Sequence, residues 1–217
     1  YVFSCASASA APRVFKIDDE KNRDVVSFNS DAPIELIVGN TNKINGSITI
    51  DDSMDLSKAA QASFDVDLST IDTGIPLRNE HMRDNFLQTK QFPKATFVLK
   101  KLVNPPKSLK PGSKVKLNAV GDFTCHGKTV SKTVPIELTY FTKCAATETK
   151  RPGCDLLQFK AVFPVGLKDH NITRPEIVFQ KLADTVIVTV SATAYNQVEG
   201  AGSKEADPKA TGHQSKK

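Results

Sequence analysis

KVKLNAVGDFTCHGKTVSKTVPIELTY, residues 114–140, is the stretch on which the fold turns. Val115, Leu117 and Ala119 alternate with Lys114, Lys116 and Asn118. Past His126-Gly127, the residues Val130, Val134, Ile136, Leu138 and Tyr140 share one parity, broken only by Lys132. Successive side chains of a strand point to opposite faces, so each run reads as a strand with one apolar and one wet face. Working outward, Phe64, Val66 and Leu68 alternate with Ser63, Asp65 and Asp67. Leu157, Phe159, Ala161, Phe163 and Val165 form another run, and Val186, Val188, Val190, Ala192 and Ala194 close the pattern. Further strands are expected near residues 24–30, 34–38, 43–50 and 94–103. Turn signals at Asn45-Gly46, Asn104-Pro105-Pro106 and Lys110-Pro111-Gly112-Ser113 separate several of them.

One stretch departs from period 2. From Ile75 to Gln88 the apolar Leu77, Met82, Phe86 and Leu87 recur at roughly helical spacing, and Pro76 suits a first helical turn. About eight to ten one-faced strands with one short helix make a sandwich or a closed barrel, not an α/β protein. The apolar faces are rich in Phe and Leu, and barrels of about eight strands can be just wide enough to hold a ligand. The reading is all-β: an up-and-down antiparallel barrel with an apolar bore and no break into two domains.

The chain of 217 residues is 39% apolar and 24% charged with a net charge of +5, an ordinary globular composition. No segment offers the roughly 20 apolar residues of a membrane-spanning helix. Tyr1 to Ala10 carries no charge, and Ala8-Ser9-Ala10 has the A-x-A form read by signal peptidases. Residues 1–12 are therefore read as a signal remnant or unstructured arm, which implies export, and Ser4-Cys5 weakly matches a lipoprotein anchor through Cys5. Residues 196–217, rich in Gly, Ser, Ala, Lys and Glu, are expected to form a polar tail with almost nothing to bury. Residues 13–195 are the barrel domain.

Several motifs compete for the chemistry. Asp72-Thr73-Gly74 is the triplet of aspartic proteases, but it occurs once and is followed by Ile75-Pro76. It reads better as a turn with Asp72 capping the helix. Cys125 and His126 are neighbours on a strand and cannot form a dyad; Cys125 reads as a small buried hydrophobe, and His126 faces outward or opens a turn at Gly127. Nothing in the spacing of His81, His126 and His170 makes them a metal site, and no metal or cofactor is expected. Six lysines (100, 101, 107, 110, 114, 116) and no acid occupy residues 95–121. They read first as a solvated hairpin edge guarded by lysine, and otherwise as a face for anionic lipid or nucleic acid. Were the chain exported, Cys144 and Cys154, flanking the turn-like Lys150-Arg151-Pro152-Gly153, are expected to pair, leaving Cys125 free.

FDVDLSTIDTG (64–74), RNEHMRDNF (78–86) and FPKATF (92–97) together resemble the signature of the YceI-like, polyisoprenoid-binding, lipocalin-like family. GDFTCHG (121–127) with KTVPIEL (132–138) is similar to a second segment of that family, and Phe163 through Tyr195 to its closing strands. Two departures are Cys125, where an aliphatic residue is usual, and an extra loop between Cys144 and Cys154. The resemblance, over residues 14–195, implies an eight-stranded antiparallel lipocalin-like barrel with one short helix, located in the bacterial periplasm and holding a long isoprenoid or other amphiphilic lipid.

The expectation is a ligand carrier without catalysis. Strand parity assigns Phe64, Val66, Leu68, Phe97, Leu99, Leu117, Phe123, Ile136, Leu138, Phe159 and Phe163 to the bore, with Leu77, Met82, Phe86 and Leu87 closing one end. A long-chain lipid is the expected partner, with a membrane surface and a second copy of the chain as further ones and nucleic acid excluded. The rival readings are a membrane-surface or scaffolding protein using the lysine-rich hairpin, and a lipid-headgroup enzyme centred on His81 with Arg78, Arg83 and Asp84.

Overall fold

The computed structural model describes residues 11–19, 21–58, 60–142, 154–173 and 182–196. Alternation becomes strand throughout: β1 (Arg13–Ile17), β2 (Val25–Asp31), β3 (Leu36–Thr41), β4 (Ile44–Ile50), β5 (Gln61–Asp67), β6 (Lys94–Val103), β7 (Lys114–Cys125), β8 (Lys128–Phe141), β9 (Leu156–Gly166) and β10 (Thr185–Asn196). All pairings are antiparallel, in the order β1-β4-β5-β6-β7-β8-β9-β10, and β1 returns to β10 through Phe15 opposite Asn196 and Lys16 opposite Tyr195. The ring therefore closes with eight strands, and no edge remains where it does.

The remaining two strands are not staves of that ring. β2 pairs with β10 over Ile187–Ser191, beyond the end of β1, and β3 pairs with β2. The result is a two-stranded flap that extends the wall at one end. The simple up-and-down order is corrected at this point: β10 is twelve residues long and β1 only five, so β1 cannot cover its length and the flap occupies the difference.

Local chemistry sets the register. β7 and β8 pair without interruption from Lys114 opposite Thr139 to Cys125 opposite Lys128, around a two-residue turn. His126 and Gly127 both have positive φ, 50° and 70°, as a type I′ hairpin demands. Gly121 sits opposite Leu99, where a Cβ would lie 2.5 Å from the Phe97 ring; its absence lets that ring lie against the wall beside the bulge at Leu99/Lys101.

The stretch 75–88 forms a helix in two parts, α1 (Pro76–His81) and a π-helical turn, Met82–Phe86. Asp72 does not cap it, contrary to expectation. The N-cap is Ile75, without a side-chain bond, while the Asp72 carboxylate accepts from the Gly74 amide at 2.8 Å and from the Asn79 side chain at 2.6 Å. These two bonds, the amide first, hold Asp72 below the usual carboxylate range. The helix lies across the end of the barrel that the flap extends. The opposite end is filled by the 51–56 and 104–113 connections, whose Met54, Leu56 and Leu109 are buried and joined by a Leu109 amide to Met54 carbonyl bond of 3.1 Å.

Candidate functional site: an apolar cavity along the barrel

A cavity of about 550 Å³ runs through the barrel. Its wall is the inward parity of the strands. Leu117, Ala119, Phe123 and Cys125 come from β7, Val134, Ile136 and Leu138 from β8, and Phe159, Ala161, Phe163 and Val165 from β9. Two aromatic pairs stand in it: Phe64 against Phe159 with centroids 5.1 Å apart, and Phe123 edge-on to Phe163 at 5.6 Å. Every residue assigned from parity, Phe64, Val66, Leu68, Phe97, Leu99, Leu117, Phe123, Ile136, Leu138, Phe159 and Phe163, borders this cavity, as do Leu77, Met82, Phe86 and Leu87 from the helix.

Sequence reasoning missed the flap. Val26, Phe28, Ile37 and Gly39 also line the cavity. Leu36-Ile37-Val38 is apolar without alternation in the sequence, so nothing local marks β3 as overhanging the mouth. Val186, Val188 and Val190 of β10 belong to the wall as well.

Polar groups gather at the helix end. Arg78 reaches from α1 to Glu35, which sits in the turn between β2 and β3, in a short ion pair. Its Nε donates to Thr73 Oγ1 at 3.0 Å and its Nη2 to the Thr73 carbonyl at 3.1 Å. The Asn79 Oδ1 accepts from the Thr73 amide at 2.9 Å and from its hydroxyl at 2.7 Å. The flap, the 72–74 turn and the helix are thus joined at the mouth. Glu35, Thr73, Arg78 and His81 line the outermost part of the cavity; His81 is exposed.

The other candidates resolve into structural roles. Cys125 ends β7 facing inward, and burial pushes its thiol up to about 11, the opposite of what a nucleophile needs. His126 turns away, with Nδ1 3.0 Å from the His170 carbonyl and its ring edge-on to Phe92 at 4.6 Å. His170 is fully buried, its Nδ1 3.0 Å from the Lys128 carbonyl, and desolvation holds its imidazole below the ordinary histidine range. Among the described residues no three His, Cys, Asp or Glu side chains converge as a metal site would require. Three of the six lysines are paired: Lys100 with Asp122 at 2.6 Å, and Lys114 and Lys116 with Glu137 at 3.2 and 3.1 Å. The expected Cys144–Cys154 bond is not found. Cys154 is a free, half-buried thiol, and Cys144 lies outside the described residues. The expectations for residues 1–10 and 197–217, Cys5 included, also lie outside the described residues.

The family model of the YceI-like domain matches residues 15–194. The chain belongs to the YceI-like family. Solved structures share its fold at low identity. Burkholderia cenocepacia BcnA is 23% identical with a TM-score of 0.60, over 82% of this chain and 98% of that one. A polyisoprenoid-binding domain from Saccharophagus degradans is 15% identical with a TM-score of 0.63, over 84% of this chain and 98% of that one. The Campylobacter jejuni YceI protein is 17% identical with a TM-score of 0.58, over 76% of this chain and 88% of that one. No curated protein matches the chain by sequence. In this YceI-like barrel the departure at Cys125 falls on the cavity wall without making it polar.

Proposed function

We propose that this YceI-like protein is a carrier that holds the hydrocarbon part of an isoprenoid or similar amphiphilic lipid in its barrel and performs no chemistry on it. The single observation that carries this reading is the cavity: about 550 Å³, apolar along its length, with polar groups only at one end. A methylene takes about the 30 Å³ of a liquid water molecule, so the space admits a chain of about 18 such groups. Each buried methylene contributes about 0.8 kcal/mol, and ten give about 8 kcal/mol before ordering costs, the free energy of micromolar binding. The Saccharophagus degradans domain of the same fold is described as polyisoprenoid-binding, which supports the ligand class. The polar mouth suits a headgroup that stays near water. An enzyme centred on His81 finds less support, since Arg78 beside it is committed to Glu35 and Thr73. Export, suggested by residues 1–10, completes the reading as a proposal about where the carrier works.

Mass spectrometry of an organic extract of the purified protein, with melting curves in added geranylgeraniol, tests the reading. A stoichiometric long-chain lipid, or a rise in melting temperature, is expected. Leu117, 8% exposed, faces the cavity, whereas Lys116 faces solvent and pairs with Glu137. Leu117→Asn is expected to lower lipid content at least ten-fold while still folding, and Lys116→Glu to leave it unchanged. A folded Leu117→Asn variant carrying the parental amount of lipid places the ligand elsewhere, and a parent that neither carries nor responds to lipid ends the carrier reading.

A further inference from the structure

The outer surface beside the mouth is apolar where a barrel wall is ordinarily polar. Ile34 and Leu36, on either side of Glu35 in the flap, are each 61% exposed, and Ile75 and Leu77, at the start of α1, are 48% and 60% exposed. The Glu35–Arg78 pair ties the two pairs of side chains together, so all four stand around one opening. Val38, next outward-facing on β3, is 43% exposed and continues the patch. Large exposed apolar side chains occurring singly need no explanation, but a group of them at one place marks an interaction surface.

Two features say what covers it. Ile75 and Leu77 also line the cavity, so apolar side chains continue from the interior over the rim to the outside alongside the polar groups of the mouth. The charges nearest these side chains, Glu35 and Arg78, neutralise each other. The tip of the lysine-rich 95–121 hairpin lies at the other end of the barrel. β6 starts beside the helix, where the Leu68 amide meets the Pro93 carbonyl, and runs away from it, which puts Lys107 and Lys110 in the connection at the far end. A hydrocarbon tail leaving a bilayer for the cavity crosses this rim, and a rim pressed against the bilayer spares the tail from water.

We propose that the rim formed by Ile34, Leu36, Ile75 and Leu77 docks the mouth of the barrel onto the apolar layer of a lipid bilayer, by burial of these side chains and not by charge. The inference rests on the carrier reading and adds to it the surface through which cargo passes.

The test is co-sedimentation of the full chain with phosphatidylcholine vesicles at low and high salt, for the parent, for Ile34→Ser/Leu36→Ser, and for Val98→Ser/Val162→Ser. Ile34 and Leu36 do not line the cavity, and Val98 and Val162, 49% and 41% exposed, lie on the barrel wall. The parent is expected to bind independently of salt, the flap variant at least ten-fold more weakly, and the wall variant like the parent. Uptake of detergent-dispersed geranylgeraniol, measured alongside, is expected to be equal in all three. The proposal is overturned if the parent does not pellet, or if the flap variant pellets like the parent. Binding that needs phosphatidylglycerol and vanishes in salt also overturns it. So does sedimentation equilibrium in which the parent is a dimer and the flap variant a monomer, since the patch then serves a second copy of the chain. Failure of geranylgeraniol uptake by the parent counts against the carrier reading, and failure of the vesicle arm alone counts against the rim.

Discussion

Cys125 shows how a residue that looks reactive in a sequence is tamed by its position. As the last residue of β7 it points into the cavity wall, with 6% of its surface exposed, and desolvation raises its thiol to about 11 from an ordinary value of 9.0. A group that keeps its proton longer when folded favours the folded state fully below the unfolded value. That contribution declines as pH rises from about 9 through about 11, because the unfolded chain loses the proton first. The parent is therefore expected to lose more stability across this window than Cys125→Val, as read from urea midpoints at pH 8, 9.5 and 10.5. Parallel curves for the two proteins count against the buried-thiol assignment. Iodoacetamide at pH 8.5 is expected to modify the half-buried Cys154 of the folded protein well before Cys125.

Among the elements, the flap is held by the ladder from β2 to β10 and the reciprocal amide–carbonyl pair of Asn40 and Asp72 at 2.9 Å each. The Thr41–Thr70 hydroxyl bond, the Ala183 amide donating to the Ser30 hydroxyl, and the Glu35–Arg78 bridge hold it as well. The bridge is partly exposed, so it is worth at most about 1 kcal/mol of global stability. Local opening is different, because an element held by few contacts opens by itself with a cost set by those contacts. Arg78→Gln is therefore expected to shift the melting temperature little, while exchange of bound cis-parinaric acid becomes about five-fold faster, the factor that corresponds to about 1 kcal/mol. Unchanged exchange in stopped flow means the bridge does not hold the mouth.

Closure of the ring is a property of the whole molecule, secured at the end away from the mouth. Arg13 of β1 donates to the Tyr140 hydroxyl of β8 at 2.7 Å and to Asp155, just before β9, at 2.8 Å, and the Tyr140 hydroxyl donates to Asp155 at 2.8 Å. Tyr140 and Asp155 are 4% and 6% exposed. The network ties the first strand to two strands late in the chain. Losing one hydrogen bond inside it costs about 1 kcal/mol, whereas leaving a buried carboxylate without its cation costs about 3 kcal/mol. Tyr140→Phe is expected to lower the unfolding free energy by the first amount and Arg13→Met by the second, both read from urea titrations. Equal effects indicate that charge is not what the network contributes.

Alternation from Val115 to Tyr140 and from Leu157 to Val165 was enough to specify strands and their inward faces, because side-chain direction in a strand is local and has a period of two. The cavity wall was legible for the same reason: Leu117, Phe123, Phe159 and the rest needed only parity and apolar character. The helix was legible in its apolar spacing, though not its π-helical second half, which depends on packing over the mouth. Nothing local told β2 and β3 from staves of the barrel, since neither carries a pattern that marks a strand of the flap and not of the ring. Only the mismatch in length between β1 and β10 places the flap, and that emerges when distant strands pair. The meeting of Glu35 with Arg78 was equally invisible. The two residues lie 43 positions apart, on elements with independent local preferences, and the mouth they shape exists only once the ring has closed.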